Sequence, residues 1–156
     1  MDIGNAVCGF GHRSFISAEA EKRLSAIINY LCFDEEKEVF YTGGMGAFDK
    51  AFSSAVRVAK RERPRVKLIL VLPYYSNKLN THKDHYSQLY DEIVLPDILS
   101  DSYYRAAINL RNMWMIDSSS AVISGVCRDH GGAYNSVRFA KKIKKRIIRL
   151  YDCEFE

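Results

Sequence analysis

Residues 38–48 read EVFYTGGMGAF, an apolar strand pattern that runs directly into a glycine cluster and then into a helix. The first five residues are rich in β-branched and aromatic side chains, which favours a buried strand that stops at Gly43. The helix after the glycines has the clearest periodicity in the chain, because its apolar side chains recur on one face. These positions are Phe48, Ala51, Phe52, Ala55, Val56 and Ala59. A strand, a glycine turn and an amphipathic helix make the repeating unit of an α/β fold.

The same unit recurs along the sequence. Ser17 is a suitable N-cap for a helix that follows the first strand, and Pro64 and Pro73 mark the ends of later elements. Predicted strands cover residues 6–9, 38–42, 66–72, 92–95, 121–126 and 147–151, with helices in between. The pattern predicts a Rossmann-like three-layer sandwich with a mostly parallel sheet of about five to six strands and helices on both faces.

Composition is that of one ordinary domain. The 156 residues are 47% hydrophobic, so residues 1–156 can bury a single core. Neither a signal peptide nor a long apolar run is visible, so we expect a cytoplasmic protein without a membrane partner. Cys8, Cys32, Cys127 and Cys153 lack metal-ligand or disulfide-like spacing and are expected to be buried reduced thiols. His82 and His85 have no evident third ligand, so we expect no metal site.

The chain is mildly basic, with a net charge of +4 that owes much to the cluster at residues 141–146. Cations in the last turn of a helix are favoured by the helix dipole and need no acidic partner. No aromatic side chains interleave this cluster, whereas single-strand binding surfaces commonly have them. The sequence therefore favours a small-molecule partner over nucleic acid.

Ligands of parallel α/β sheets bind outside the carboxyl ends of the strands, and three glycine-rich loops follow predicted strands. They span residues 9–14 (GFGHRS), 42–49 (TGGMGAFD) and 124–135. Glycines allow backbone N–H groups to converge on a phosphate at a helix N-terminus. The candidate ligand-binding residues are Gly9, Phe10, Gly11, His12, Arg13, Thr42, Gly43, Gly44, Met45, Gly46, Asp49, Tyr74, Arg111, Ser124, Gly125, Gly131, Gly132 and Asn135.

Individual side chains suggest roles within these loops. Arg13 could make a bidentate contact with a phosphate, and His12 could be a ligand contact or simply a loop histidine. Asp49 could hold a ribose hydroxyl or cap its helix. Phe10 and the tyrosines at 74 and 75 could stack on a base, although core packing explains Phe10 equally well.

Several enzyme classes have little sequence support. The first loop nearly spells the dinucleotide fingerprint G-x-G-x-x-G, but Ser14 stands at its last place and residues 41–43 lack the acid that would hold ribose. The second loop lacks the Gly-Lys-Ser/Thr of a P-loop. No nucleophile elbow or catalytic triad order is evident.

Four motifs in order carry a family resemblance: residues 9–13, 42–49, 111–117 and 131–137. Together they resemble the SLOG superfamily and its YpsA-like branch. The resemblance implies a Rossmann-like fold and a nucleotide or nucleotide-derived ligand such as AMP, NAD, ADP-ribose or a cyclic ADP-ribose-like signal. It also implies a homodimer or higher homo-oligomer, and a place in phage defence or counter-defence. No further cofactor is required.

One branch of the superfamily consists of LOG-type phosphoribohydrolases, which use an arginine and a glutamate of a P-G-G-x-G-T-x-x-E motif. Arg111 matches that arginine and Gly131-Gly132 the glycine pair, but the glutamate position falls near Val137-Arg138. Hydrolysis of an N-glycosidic bond needs a carboxylate, so we expect a sensor or sequestering protein that binds without cleaving.

Two alternatives remain open at this point. The first is a phosphoribohydrolase that uses Arg111 with a carboxylate from elsewhere, either Asp49 or Asp117. The second is a DNA-binding relative similar to the competence protein DprA, supported by the lysines of the last helix.

Overall fold

The computed structural model describes residues 3–74, 83–97 and 104–152. Its centre is a six-stranded sheet in which every neighbouring pair is parallel. The strands are β1 (Ala6–Gly11), β2 (Val39–Thr42), β3 (Lys67–Val71), β4 (Glu92–Val94), β5 (Ala121–Gly125) and β6 (Arg146–Arg149). The predicted α/β class and parallel sheet are confirmed.

Five helices lie in the described part of the chain, preceded by a 3-10 turn at Ile3–Asn5. They are α1 (Ala18–Phe33), α2 (Ala47–Glu62), α3 (Lys83–Leu89), α4 (Tyr104–Asp117) and α5 (Gly132–Lys142). The predicted cap of α1 is present, because the Ser17 hydroxyl accepts a hydrogen bond from the Ala20 amide at 3.1 Å.

Side chains alternate between two cores, one on each face of the sheet. Val7 and Phe40 pack against α1 and α2, whereas their neighbours Cys8 and Tyr41 pack against α4 and α5. This alternation is the two-residue period of a strand that is covered on both faces. The predicted helices on both faces are therefore confirmed.

The strand order is β4-β3-β2-β1-β5-β6, so the chain builds outward from β1 to one edge and then crosses to the other side of β1. The reversal occurs between β1 and β5, where Phe10 pairs with Ser124 and Gly11 with Gly125. A crevice opens outside the carboxyl ends of strands at such a switch point. The loops after β1 and β5 consequently face one another.

Some element boundaries differ from the prediction. The closing strand ends at Arg149 rather than Tyr151, because the chain turns away after it forms its four pairs with β5. The basic cluster at residues 141–146 is divided among the end of α5, a turn and β6, so it is not one helix end. Within the described residues, no helix is both long enough and apolar enough to cross a bilayer.

The prediction of buried cysteines is confirmed for Cys8 and Cys32, whereas Cys127 is half-buried. None of the three forms a disulfide among the described residues. Burial raises the pKa of Cys8 to about 12 and that of Cys32 to about 11, so both thiols stay protonated at neutral pH. Cys153, like Tyr75 and His82, lies outside the described residues.

Candidate functional site

A cavity of about 420 Å3 opens at the switch point between β1 and β5. We call it the switch-point cavity. The candidate residues that line it are Gly9, Phe10, Gly11, His12, Arg13, Gly43, Met45, Asp49, Arg111, Gly131 and Gly132. Lining residues that were not among the candidates are Ser14, Ile108, Asn112, Arg128, His130 and Ala133.

The remaining candidates lie outside the described lining of this cavity. They are Thr42, Gly44, Gly46, Tyr74, Ser124, Gly125 and Asn135. Arg128 and His130 could have been found from the sequence, since the β5 loop carries these two nitrogen-bearing side chains just before its glycine pair. Ile108 could not, because it enters the cavity from α4, whose facing side depends on the strand order.

Two glycines of the first and third loops are required by packing. An added Cβ at Gly11 would lie 2.3 Å from Cγ of Phe48, and one at Gly125 would lie 2.6 Å from Cδ2 of the same ring. Phe48 is the first buried residue of α2. We call this contact the Phe48 seam. It presses α2 against the carboxyl ends of β1 and β5, where a larger residue would clash.

Two backbone amides of the loop after β2 donate hydrogen bonds to nearby side chains. The Gly44 amide donates to Oγ1 of Thr42 at 3.1 Å, and the Met45 amide donates to Oδ2 of Asp49 at 2.9 Å. Asp49 thus accepts a hydrogen bond from the loop that precedes its own helix. The N-cap of α2 is Gly46, which has no side-chain cap hydrogen bond, so the helix-capping role considered for Asp49 from the sequence is not found.

The first turn of α2 is also occupied. The Ala47 amide donates to the Arg13 carbonyl at 2.9 Å, and the Phe48 amide donates to the His12 carbonyl at 3.3 Å. These bonds join the β1 loop to α2. The amides of Gly44, Met45, Ala47 and Phe48 are therefore already bonded within the protein.

Arg111 forms the floor of the cavity from α4, with only 3% of its surface exposed. Its Nη1 donates to the Val71 carbonyl at 2.8 Å and to the Gly43 carbonyl at 3.4 Å, and its Nε donates to Oδ1 of Asn112 at 2.8 Å. Burial lowers the pKa of the guanidinium, partly offset by the nearby Asp49. Uncharged carbonyl and amide oxygens accept these hydrogen bonds from the charged guanidinium. No ion pair to Arg111 is found among the described residues.

The thioether of Met45 lies between two arginines. Its Sδ is 3.5 Å from Nη2 of Arg13 and 3.8 Å from Nη2 of Arg111. A thioether is only a weak hydrogen-bond acceptor. Two guanidinium groups from different elements thus converge on a group that a carboxylate or phosphate oxygen would outcompete.

Asp49 is the one acidic side chain among the described residues that line the cavity. Burial raises its pKa from the ordinary 3.8 to about 6, opposed by the Met45 hydrogen bond and by the positive charges of Arg111 and Arg13. At neutral pH the carboxylate is mostly ionised and partly offsets the cavity's positive charge.

The N-terminus of α5 forms the opposite wall. Gly131 is its N-cap with a φ of 99°, a conformation that favours glycine, and the Asn135 amide donates to the Gly131 carbonyl at 3.0 Å. No acceptor within the described part of the chain bonds the amides of Gly132, Ala133 and Tyr134. This helix end therefore presents free N–H donors and the positive end of the helix dipole.

Hydrogen bonds connect the floor to this wall. Nδ2 of Asn112 donates to the Ser136 hydroxyl at 3.1 Å, and that hydroxyl donates to the Gly132 carbonyl at 3.0 Å. Asn112 also holds Nε of Arg111. The two sides of the cavity are thus fixed relative to one another by buried polar groups.

The rim joins the β1 and β5 loops. The Cys127 amide donates to Nε2 of His12 at 3.0 Å, and the guanidinium of Arg128 lies 4.8 Å from the ring centre of Phe15. Burial lowers the pKa of His12, as do the charges of Arg128 and His130. Arg13, Arg128 and His130 all stand exposed at the mouth.

The two carboxylate alternatives are separated by the structure. Asp117 is exposed at the end of α4, outside the described lining, so it is not brought together with Arg111 and Asp49. Val137 is buried in the core and Arg138 is exposed, and these are the residues near which the family resemblance places the LOG glutamate. Neither of these two residues supplies a carboxylate.

No family model matches the chain. It is 28% identical over 152 residues to the protein YoqJ of Bacillus subtilis (strain 168), described as an uncharacterized SPbeta prophage-derived protein. The match covers 86% of this chain and 89% of YoqJ.

Solved structures share the fold at low sequence identity. DNA processing protein A (DprA) of Streptococcus pneumoniae gives a TM-score of 0.66 at 16% identity over 94% of this chain, which spans only 50% of that DprA chain. Helicobacter pylori DprA, studied for its single-stranded DNA binding mode, gives 0.64 at 19% identity, covering 92% of this chain and 64% of that one. The molybdenum cofactor binding protein of Rippkaea orientalis gives 0.59 at 20% identity, covering 94% and 76%.

These structures establish the Rossmann-like fold. The proteins that share it bind different partners, since one is described with single-stranded DNA and another with molybdenum cofactor. The expectation that nucleic acid is not a partner therefore gains no support from the fold.

Proposed function

We propose that this chain is a SLOG-type protein, of the YpsA-like branch, that binds a nucleotide or nucleotide-derived anion in the switch-point cavity without cleaving it. AMP, NAD, ADP-ribose and cyclic ADP-ribose-like molecules are the candidate ligands. The observation that carries the proposal is the helix end at Gly131, which offers free amides to the cavity. Arg13, Arg111 and Arg128 line the same cavity.

The phosphate belongs at α5 in this proposal. The loop at residues 42–46, part of one of the three glycine-rich loops that the sequence offered for a phosphate, has its Gly44 and Met45 amides bonded internally. The amides of Gly132, Ala133 and Tyr134 have no acceptor in the described chain, and Arg128 and His130 flank them. Convergent N–H groups, a helix dipole and cations together favour a phosphate group.

A further polar part of the ligand belongs near Arg13 and Arg111. Their guanidinium groups share the weak acceptor Met45, so an anionic or carbonyl oxygen of the ligand would displace that sulfur. The cavity volume of about 420 Å3 lies within the usual range for small-molecule sites.

Binding without cleavage is supported by the position of Val137, which is buried near where the LOG-type enzymes carry glutamate. A second candidate function, cleavage of the ligand's N-glycosidic bond, is favoured by one observation. Asp49 lines the cavity, and burial raises its pKa to about 6, a suitable value for a general acid or base.

The decisive experiment removes one N–H donor from the proposed phosphate site at the N-terminus of α5. Gly132 is the first residue of α5, where proline is tolerated, so Gly132→Pro deletes one N–H donor and keeps the helix. We expect it to weaken binding of AMP or ADP-ribose, measured by calorimetry, about tenfold or more, since a hydrogen bond to a charged group contributes about 1.5–3 kcal/mol.

Gly132→Ala is the matched control, because an added Cβ meets no atom within 4 Å and the amide remains. It should bind as the wild type does. Arg128→Gln should weaken binding, whereas Arg65→Gln, an exposed change outside the described cavity lining, should not. Equal affinities for Gly132→Pro and Gly132→Ala would contradict the placement of the phosphate at the N-terminus of α5.

The same samples separate the rival functions. Chromatography of AMP, NAD and ADP-ribose after incubation should recover each ligand intact, and release of free base over many turnovers would favour the enzyme. A single-stranded oligothymidylate serves as the third probe. Tight oligonucleotide binding that Gly132→Pro abolishes would replace the small-molecule proposal with a DprA-like one.

A further inference from the structure

A second cavity, of about 690 Å3, lies on the other side of the glycine loop after β2. It is bounded by α2, by α3 and by the residues that follow α3. We call it the α2–α3 cavity. Six of the side chains that line it give it its chemical character: Lys50, Ser53, Arg57, His85, Leu89 and Tyr90. Within the described lining, it shares only Asp49 with the switch-point cavity.

Ser53 supplies the first indication of a ligand. Only 3% of its surface is exposed, it lines this cavity, and its hydroxyl has no hydrogen-bond partner in the described structure. A buried hydroxyl without a partner costs free energy, and a serine in mid-helix usually bonds the carbonyl one turn back. The hydroxyl oxygen is itself covered by neighbouring atoms, so it reaches a group inside the cavity by turning about the Cα–Cβ bond, a rotation that no hydrogen bond in the described structure opposes.

The charge of the lining supplies the second indication. Lys50, Ser53 and Arg57 follow one face of α2, and His85 faces them from α3. Asp49 is the one carboxyl in the described lining, so the two cations Lys50 and Arg57 outnumber it. Nη1 of Arg57 donates to the Leu89 carbonyl at 3.1 Å, which fixes α3 against α2. Neither Arg57 nor Lys50 makes an ion pair within the described residues.

The third indication is an apolar wall beside these donors. Leu89 and Tyr90 are both half-buried, and the Tyr90 ring stacks on Tyr86 with centroids 6.4 Å apart. The cavity thus combines polar donors from α2 with an aromatic surface, the usual arrangement of a site for a small organic molecule.

We propose that the α2–α3 cavity is a second binding site, which takes a small organic phosphate. Lys50, Arg57 and the Ser53 hydroxyl contact the phosphate, and the body of the molecule packs on Leu89 and Tyr90. A phosphate suits this set because its oxygens are arranged tetrahedrally and carry up to two negative charges, so donors from separate directions can reach different oxygens, whereas both oxygens of a carboxylate lie in one plane and carry one charge.

The test is an amide NMR titration of the full chain with phenyl phosphate, in parallel with inorganic phosphate and benzoate. We expect saturable shifts at Ser53, Arg57 and residues 85–90, with phenyl phosphate binding at least tenfold tighter than benzoate. Benzoate binding as tightly as phenyl phosphate would overturn the phosphate assignment, and no saturable shifts at these residues would overturn the site.

Three variants complete the test. Arg57→Gln should weaken phenyl phosphate binding at least tenfold, and Arg61→Gln, an exposed change on the same helix that does not line the cavity, should leave it unaltered. Ser53→Ala should weaken binding severalfold and yet raise the melting temperature of the free protein, since it removes an unpartnered hydroxyl. Shifts that neither Arg57→Gln nor Ser53→Ala changes would refute the proposal.

Discussion

At the scale of single residues, Asp49 is a carboxyl whose ionisation opposes folding. Burial raises its pKa from 3.8 to about 6, so the folded state binds the proton more tightly than the unfolded chain does. Its contribution is most favourable below the unfolded pKa and is lost as the pH rises from about 4 through about 6. The Met45 hydrogen bond and the two arginines limit this loss but do not cancel it.

Asp49→Asn should remove that dependence. Asparagine retains an oxygen that can accept the Met45 N–H, so we expect the variant to be more stable than wild type at pH 7 by up to about 3 kcal/mol. Urea unfolding between pH 4 and pH 7 measures the effect. The exposed Asp117→Asn is the control and should follow wild type. If Asp49→Asn keeps the wild-type pH profile, the carboxyl is not buried as described.

Residues also mark the limit of what the sequence could predict about the site. Arg13, Arg111 and Gly131 were candidates and do line the cavity, because loops that follow parallel strands meet at one edge. Glycines 11 and 125 were candidates for the same reason, yet the Phe48 ring accounts for both. A glycine that admits a ligand and a glycine that admits a neighbouring ring look alike in one sequence.

At the scale of elements, the β1 and β5 loops are held together by one hydrogen bond that a proton can break. Nε2 of His12 accepts the Cys127 amide, so the imidazole must be neutral there. Burial lowers its pKa below 6.5, followed by the charges of Arg128 and His130. The stability from this bond is present above pH 6.5 and is lost as the pH falls through the lower folded-state pKa.

Amide hydrogen exchange tests this link. We expect the protection factor of the Cys127 amide, corrected for intrinsic exchange, to fall as the pH is lowered from 7 to 5. His12→Gln should keep protection more nearly constant, because its side-chain oxygen can accept the same N–H without titrating. His85→Gln, at an exposed position on α3, should behave as wild type does. Constant protection in the wild type would exclude the proposed break.

Elements with a strong internal signal were predictable. The apolar stripe of α2 and the Ser17 cap of α1 appear as expected, since both depend on neighbours within one or two turns. The bonding of the α2 amides to the carbonyls of Arg13 and His12 could not be predicted. Those contacts cross more than thirty residues and depend on where the β1 loop lies.

At the scale of the whole molecule, an ion pair joins the edge strand β6 to a connection 111 residues earlier in the sequence. Arg146 makes a two-point contact with Glu35, at 2.6 and 2.9 Å, in the connection between α1 and β2. The hydrogen bond from Arg146 lowers the pKa of Glu35. The stability of this pair is therefore present above pH 4.5 and is lost as the pH falls through the lower folded-state pKa.

Glu35→Gln should destabilise the protein by about 0.5–1 kcal/mol at pH 7, a modest effect because Arg146 is half exposed to solvent. Urea unfolding should show a smaller difference from wild type at pH 3 than at pH 7. Glu36→Gln, exposed in the same connection between α1 and β2, is the control. Equal stability of Glu35→Gln and wild type at pH 7 would mean that the pair contributes nothing.

The order of the six strands could not be predicted from the sequence, although their number and their parallel direction could. Alternating strand and helix patterns require parallel pairing through crossovers, but many orders satisfy that rule. The order decides that β1 and β5 are neighbours, and thereby brings the Arg13 and Gly131 loops to one cavity.

The Phe48 seam affects how a saturation mutagenesis experiment on this chain should be interpreted. Gly11 and Gly125 should tolerate no larger residue in any selection for folded protein, even when ligand is absent from the assay. Gly132, which has open space around it, should accept alanine in such a selection. Intolerance at Gly11 and Gly125 would thus reflect the close packing of α2 against the sheet. Information about the ligand would come from positions that tolerate change in the folding selection but not in a binding selection.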